Sequence, residues 1–142
     1  MFSRTYALRF GDCDPSGIAY YPSYLRILDG AIEDFFASLG APRNTMISDM
    51  RVGTPTVTMN LVFERPGFQG DELTIAIRVV GLGRTSLDLA HTVSARGATL
   101  FTAKHRLVAT SLDTHKSCAW PDTLRAALTQ HLETDHAYDP AA

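Results

Sequence analysis

Residues 22–39 read PSYLRILDGAIEDFFASL, and this segment decides the fold. Its apolar residues recur at intervals of three and four, the spacing that places side chains on one face of an α-helix. They are Tyr24, Leu28, Ala31, Ile32, Phe35, Phe36 and Leu39, and Leu25 and Ile27 widen the stripe. So wide a stripe predicts a largely buried helix. Pro22 suits its first turn, and Gly40 followed by Pro42 marks its end.

Downstream of the polar residues 43–51, apolar and polar residues alternate with a period of two, the pattern of β-strands. Four runs follow one another, with inward positions Val57, Met59, Leu61, Phe63; Leu73, Ile75, Ile77, Val79; Leu87, Leu89, His91, Val93; and Phe101, Ala103, His105, Leu107, Ala109. Short turns containing glycine or proline separate the runs, so we expect antiparallel pairing. Residues 3–10 alternate more weakly and predict a further strand.

The remaining pattern predicts one domain over residues 1–142. Leu124, Leu128 and Leu132 at fourfold spacing indicate a surface helix over residues 122–132, before a tail that reads HAYDPAA. A chain of 142 residues with 45% hydrophobic residues is ordinary for a single globular domain. The sequence therefore predicts an α+β fold in which a curved antiparallel β-sheet wraps a long central helix.

Composition excludes several classes of function. A formal net charge of -2 at pH 7 leaves no overall basic field for nucleic acid. Cys13 and Cys118 lie far apart, outside the spacing of metal ligands, and indicate two reduced thiols. The start MFSRTYALRF lacks the apolar core of a secretory signal, and no apolar run approaches the roughly 18 residues of a membrane span. We expect a cytoplasmic protein without membrane or nucleic-acid partners.

The segment GDCDPSGIAYY, residues 11–21, places acidic residues and glycine just before the helix. A helix N-terminus offers free backbone N–H groups and a positive dipole potential, which can stabilise an oxyanion. Asp14 would stay ionised there, while N–H groups near Tyr21 polarise a carbonyl. Gly17 lets the backbone approach a ligand closely. The alternative is a plain turn, because Asp before Pro and Gly is a common turn sequence.

The run Gly-Asp-Cys-Asp-Pro-x-Gly-Ile-x-x-Tyr-Pro-x-Tyr, ending in Leu28-Asp29, resembles the signature of the 4-hydroxybenzoyl-CoA thioesterase family. The segment Val52-Gly53-Thr54-Pro55 resembles the second motif of that family, and the resemblance covers most of residues 8–110. It implies a hot-dog fold, assembly into a homodimer or homotetramer through sheet edges, active sites at the dimer interface, and an acyl-CoA substrate. It implies neither a metal nor a cofactor.

The resemblance also assigns residues. It implies that Asp14 is the catalytic carboxylate and that the main-chain N–H of Tyr21 holds the thioester oxygen. Asp29 and Thr54 match positions near the acyl pocket. Two positions depart from the family pattern, with Tyr20 in place of Trp and Ser16 in place of Ala, and either change could reshape that pocket.

The turn over residues 83–86 supplies the predicted contact for the CoA nucleotide. It reads Gly-Arg-Thr-Ser and offers Arg84, with Ser86 beside it, to the negatively charged phosphates. The alternative for Arg84 is a solvated turn arginine. The tyrosines near the helix start favour an aromatic or short acyl group.

Four other functions or roles compete with this hypothesis. A hot-dog dehydratase would need a histidine beside an acid, whereas the helix and its preceding loop contain no histidine. His91 and His105 are interpreted as strand residues satisfied by their neighbours, and Cys13, between two aspartates, is rejected as a nucleophile. A non-catalytic acyl-CoA binding module remains the second hypothesis, although a binder gains nothing from a carboxylate aimed at the thioester.

Overall fold

A computed structural model describes residues 1–133; the predicted tail, residues 136–142, lies outside this range. The strands are β1 (Phe2–Ala7), β2 (Val52–Gly53), β3 (Thr56–Phe63), β4 (Glu72–Leu82), β5 (Ser86–Ala95), β6 (Ala98–Val108) and β7 (Thr110–Ser111). The helices are α1 (Tyr21–Ser38), α2 (Arg43–Thr45) and α3 (Asp122–His131), with a 3-10 turn over Phe10–Asp12 and a π-helical turn over Met46–Met50.

Five strands form one antiparallel sheet in the order β1-β4-β5-β6-β3. The helix α1 packs on one face of this sheet. The ring of Phe35 lies 5.5 Å from that of Phe2 on β1, and the ring of Tyr24 lies 4.8 Å from that of Phe101 on β6. The predicted hot-dog arrangement, a central helix against a curved antiparallel sheet, is confirmed.

The helix prediction is confirmed to within one residue at each end. Leu28, Ala31, Phe35 and Phe36 on the predicted stripe are fully buried, and Pro22 lies in the first turn. The inward positions of β4, β5 and β6 are buried as predicted. Burying this apolar surface contributes about 25 cal/mol per Å² to folding, so the helix and the sheet stabilise each other.

Two local predictions were wrong. Phe10 does not continue the first strand but lies in the 3-10 turn with its side chain exposed. Val57 faces outward because a bulge between Thr56 and Thr58 shifts the register, so that Thr56 takes the inward position opposite Leu107. Residues 43–50, a polar stretch that the sequence pattern assigned to no helix or strand, form helical turns, and Met46 within them is buried.

Two histidines lie in the core beneath α1. Nε2 of His91 on β5 is 3.0 Å from Nδ1 of His105 on β6, and Nε2 of His105 is 2.8 Å from the hydroxyl oxygen of Thr56. Both rings are buried, and within residues 1–133 Nδ1 of His91 has no hydrogen-bond partner. The interpretation that neighbours satisfy these histidines therefore holds for His105 and only in part for His91.

The connection between β3 and β4 is fixed to α1 at Gly67. The buried main-chain N–H of Gly67 donates to the hydroxyl of Tyr24 at 2.8 Å. A Cβ at Gly67 would come within 2.6 Å of that hydroxyl oxygen, which explains why this position lacks a side chain.

We expect Tyr24→Phe to lower the free energy of unfolding by about 1–3 kcal/mol, because the buried N–H of Gly67 loses its acceptor. Urea denaturation measures this difference. The matched control is Tyr20→Phe, whose hydroxyl is on an exposed ring and whose loss should leave stability unchanged. A Tyr24→Phe variant as stable as the parent would show that this hydrogen bond does not support the fold.

Candidate active site

The loop before α1 is held by Asp12. Its buried carboxylate accepts the main-chain N–H of Arg9 at 2.8 Å and pairs with the guanidinium of Arg26 on α1. Its main-chain oxygen accepts the N–H of Tyr20 at 2.9 Å. Asp12 therefore ties both the main chain and a helix side chain to the loop.

Asp14 lies at the tip of this loop with its side chain exposed. Its Oδ1 accepts the main-chain N–H of Ser16 at 2.9 Å and also the hydroxyl of Ser16. These hydrogen bonds from the hydroxyl and the main chain of Ser16 hold the pKa of Asp14 below its ordinary value. Asp14 is thus ionised at neutral pH, and the position that departs from the family pattern, Ser16, helps to keep it so.

The first turn of α1 lies next to this loop. The helix begins at Tyr21, with Tyr20 as its N-cap residue. The N–H of Tyr21 belongs to the first turn, where no preceding helical turn offers a carbonyl acceptor, whereas the N–H of Ser23 donates to the oxygen of Tyr20 at 2.8 Å. The rings of Tyr20 and Tyr21 are exposed, 6.1 Å apart. The first turn of α1 therefore offers N–H groups without helical acceptors and the positive end of the helix dipole, directly after the Asp14 loop in the chain.

A cavity of about 340 Å³ opens beside Asp14. Its lining residues are Phe10, Cys13, Asp14, Pro15, Gly17 and Gln69. Gly17 has a φ of 81°, a conformation that favours glycine, and its N–H donates to the main-chain oxygen of Asp14 at 2.9 Å. Burial and then the charges of Asp12 and Asp14 raise the pKa of the Cys13 thiol, so the thiol is neutral and unsuited to nucleophilic attack.

One wall of this cavity comes from residues distant in sequence. The N–H of Ala19 donates to the oxygen of Gly67 at 2.9 Å, and the N–H of Gln69 donates to the oxygen of Gly17 at 3.0 Å. The sequence reasoning treated this stretch only as the turn between β3 and β4, and it missed Gln69 at the site. Its glycines predicted a tight turn, but no local pattern indicated which loop the turn would contact.

The predicted acyl-pocket residues Asp29 and Thr54 do not line the cavity at Asp14. Arg43 pairs with both carboxylate oxygens of Asp29, at 2.7 and 2.9 Å. Thr54 lines a second cavity of about 280 Å³ together with Arg43 and the apolar residues Phe36, Met46, Ile47, Val52 and Leu112. The structure thus places Thr54 at a separate, mainly apolar cavity, and Asp29 is connected to that cavity only through its ion pair with the lining residue Arg43.

The predicted CoA contact at residues 83–86 is the turn between β4 and β5. The side chain of Arg84 is exposed, and its main-chain oxygen accepts Nη2 of Arg125 at 3.0 Å. The main-chain oxygen of Ser86 accepts Nε1 of Trp120 at 3.2 Å. Packing against Trp120 and α3 fixes the main chain of this turn and leaves the Arg84 guanidinium directed to solvent.

Comparison with known proteins places these features in a family. The Thioesterase-like superfamily matches this sequence over residues 8–128. The chain belongs to the Thioesterase-like superfamily. The earlier resemblance to the 4-hydroxybenzoyl-CoA thioesterase family is confirmed, and so, at the level of the family, is the expectation of a thioester hydrolase.

Two curated relatives and one solved structure illustrate the superfamily. The chain is 39% identical over 89 residues to a 4-hydroxybenzoyl-CoA thioesterase from Pseudomonas sp. (strain CBS-3), an alignment that covers 61% of this chain and 63% of that relative. It is 29% identical over 127 residues to a 1,4-dihydroxy-2-naphthoyl-CoA hydrolase from Synechococcus elongatus, covering 89% of this chain and 88% of the relative. A solved gentisyl-coenzyme A thioesterase matches with a TM-score of 0.81 at 27% identity, covering 89% of this chain and 99% of that chain.

None of the helices within residues 1–133 is long and apolar enough to cross a bilayer.

We expect Ser16→Ala to raise the pKa of Asp14, because the variant removes a hydrogen bond that favours the charged carboxylate. An NMR titration of the Asp14 carboxyl carbon should therefore show its midpoint at a higher pH than in the parent. Ser117→Ala, on an exposed serine, is the matched control and should leave that midpoint in place. An unchanged midpoint in Ser16→Ala would mean that the hydroxyl does not bond to Asp14 in solution.

Proposed function

We propose that this protein is an acyl-CoA thioesterase that hydrolyses an aromatic or short acyl-CoA to the free acid and CoA. One observation carries the proposal: the exposed, ionised carboxylate of Asp14 lines a cavity in the loop that precedes α1, in a member of the Thioesterase-like superfamily. A carboxylate and an oxyanion site are the two groups that hydrolysis of a thioester requires.

The geometry supports a division of roles between the two oxygens of Asp14. Both hydrogen bonds from Ser16 end on Oδ1, so we assign the reaction to Oδ2. As a nucleophile, Oδ2 attacks the thioester carbon, the C–S bond breaks, and CoA leaves as the thiolate before water hydrolyses the mixed anhydride. As a general base, Oδ2 takes a proton from water while the water oxygen attacks, and the thiolate of CoA is protonated on leaving.

The main-chain N–H of Tyr21 completes the reaction site in this proposal. Negative charge develops on the carbonyl oxygen as the thioester carbon becomes tetrahedral, and a fixed N–H donor at a helix N-terminus stabilises that charge. Gly17 allows the substrate to pass close to the loop. The rings of Tyr20 and Tyr21 are exposed and neighbour each other, 6.1 Å apart.

The relatives support an aromatic acyl group. The named activities of these two curated relatives and of the solved structure are directed at CoA thioesters of hydroxylated aromatic acids. In this chain we assign Thr54, at the second cavity, and Asp29, which pairs with Arg43 of that cavity, to the acyl group. We assign Arg84 with Ser86 to the CoA nucleotide. The exposed guanidinium of Arg84 can meet a phosphate without breaking a contact of the fold.

A panel of acyl-CoA esters tests the proposal. Free thiol release is followed for benzoyl, hydroxybenzoyl, short-chain and palmitoyl esters of CoA. We expect turnover of aryl or short acyl esters and little turnover of palmitoyl-CoA. Turnover of palmitoyl-CoA alone would contradict the substrate class.

The second candidate is a non-catalytic acyl-CoA binding module of the same fold. The ionised Asp14 beside a cavity argues against it, because an anion near the thioester carbon contributes nothing to binding. The same panel separates the two candidates, since a binder would retain the esters without releasing thiol.

We propose that the protein assembles as a homodimer, or as a homotetramer of dimers, through the edge strand β3. One side of this strand pairs with β6, while no strand within residues 1–133 pairs with its other side. Val57, Val62 and Phe63 on β3 are about half exposed. An open edge that carries apolar side chains favours pairing with a second copy.

Sedimentation should show an oligomer at micromolar concentration. We expect Val57→Glu to shift the distribution toward the monomer, because the two copies would bring like charges together at the shared edge. Thr5→Glu, an exposed position on the other edge strand β1, is the matched control and should leave assembly unchanged. A stable monomer in the parent protein would remove this interface.

A further inference from the structure

The cavity beside Asp14 contains one polar side chain that the reaction as proposed does not yet use. Among its six lining residues, Phe10, Pro15 and Gly17 offer no polar side-chain atom, and Cys13 carries a neutral thiol. Gln69 is the remaining polar residue. Its amide stays neutral across the pH range and offers both an acceptor oxygen and two donor hydrogens.

The main chain around Gln69 is fixed on both sides. The N–H of Gln69 donates to the oxygen of Gly17 at 3.0 Å, and the N–H of Gly70 donates to the oxygen of Leu8 at 2.9 Å. Before it, the N–H of Phe68 donates to the carboxylate of Asp71 at 2.8 Å. Gln69 thus sits on a braced turn that is bonded directly to the Asp14 loop, and such bracing lets a side chain position a reactant.

We propose that Gln69 holds the water that hydrolyses the substrate; the proposal rests on the thioesterase function proposed above. The amide oxygen of Gln69 accepts one hydrogen of the water, and Oδ2 of Asp14 accepts the other when Asp14 acts as the base. In the covalent route, the same water attacks the carbonyl carbon of the Asp14 anhydride. Either route consumes one water and yields the acid and CoA, so Gln69 serves both.

Gln69→Ala tests this role. We expect kcat to fall by about tenfold or more, in line with the loss of a positioned reactant, while KM changes by less than about threefold, because the acyl and nucleotide contacts stay in place. Since the side chain of Gln69 is exposed, the melting temperature of the Gln69→Ala variant should match that of the parent protein. Gln130→Ala, on an exposed glutamine of α3, is the matched control and should keep the parent kcat.

Competition with hydroxylamine separates water positioning from a structural role. Hydroxylamine accepts the acyl group as the hydroxamate, and loss of the water site should raise the ratio of hydroxamate to acid in Gln69→Ala. We also expect Gln69→Glu to move the acidic limb of the kcat/KM profile to higher pH, because a second carboxylate disfavours ionisation of Asp14.

The outcomes distinguish this inference from the proposed function. A parent protein that releases no CoA from any aryl or short acyl ester overturns both. A parent that is active, with a Gln69→Ala variant within twofold of its kcat or with an unchanged ratio of hydroxamate to acid, overturns the role of Gln69 alone.

Discussion

Asp14→Asn should lower kcat for the best acyl-CoA ester by at least about a hundredfold, the lower end of the effect of removing a positioned acid–base group. Asparagine keeps the shape of the side chain and an oxygen that Ser16 can bond to, but it removes the negative charge. Substrate binding should survive, because the acyl and CoA contacts assigned here lie elsewhere. A loss in kcat without a matching rise in KM is the signature of an interaction made in the transition state.

The control for this variant follows from the structure. Asp12→Asn is a poor control, since the Asp12 carboxylate is buried and bonded to Arg26 and to the main chain of Arg9, and its change should disturb the loop. Asp49→Asn is a better one, because Asp49 is exposed on the short helical turn after α2. The kcat of the Asp49→Asn variant should equal that of the parent protein.

Rapid-quench and equilibrium binding measurements complete the test of Asp14. A folded Asp14→Asn variant that binds an acyl-CoA ester with parental affinity and fails to turn it over supports the assignment. Hydrolysis at close to the parental rate would assign the chemistry to another group.

The elements of this fold were predictable because their side chains face one apolar layer. The stripe from Tyr24 to Phe36 and the alternation on β4, β5 and β6 are each imposed by burial on one side. The errors fall where that rule is locally broken. A bulge turns Val57 outward and Thr56 inward, and the turns over residues 43–50 bury Met46 within a stretch whose composition is polar.

Only the site residues that lie close together in the sequence were predictable. Asp14, Gly17 and the N–H of Tyr21 lie within eight residues of one another, so the sequence shows them before a helix. Gln69 reaches the same cavity through hydrogen bonds between two loops, and no periodicity encodes such a contact. The bond between Ser16 and Asp14 is also invisible in the sequence, because a serine in a turn has several acceptors within reach.

The paired histidines in the core predict a second large effect, a loss of stability in mild acid. Burial, and then the neighbouring charge of His105, lowers the pKa of His91 to about 3. Burial lowers the pKa of His105 to about 4, against the opposing charge of Asp29 on α1. In the unfolded chain both should titrate near 6.5.

The sign of the effect follows from proton binding. Below pH 6.5 the unfolded chain binds protons on both histidines, while the folded protein keeps them neutral, so acid favours unfolding. As the pH falls from 6.5 to its folded pKa, each histidine lowers the free energy of unfolding by about 1.4 kcal/mol per pH unit. At pH 5 the two together should lower the free energy of unfolding by about 2–4 kcal/mol relative to pH 7.

The two carboxylates with lowered pKa values, Asp14 and Asp71, do not produce this loss in the same range. Asp14 and Asp71 have lowered pKa values in the folded protein, so the stability linked to them is present above their unfolded values near 4 and is lost below. Between pH 7 and pH 5 they are ionised in both states. A fall in stability within this window is therefore not linked to Asp14 or Asp71, and the histidine variants test its assignment to His91 and His105.

Urea unfolding at pH 7, 6 and 5 measures the slope of the free energy of unfolding against pH. NMR titration of the imidazole rings measures the two folded pKa values directly. We expect His91→Leu to reduce the slope, because one of the two groups no longer titrates, although the open nitrogen of His105 should make this variant less stable at pH 7. His115→Gln, on an exposed turn, should retain the parental slope. The contrary result would be a parent protein with the same free energy of unfolding at pH 7 and pH 5 and with both rings titrating near 6.5. His91 and His105 would then be open to water in solution, and the core beneath α1 would be less closed than its contacts indicate.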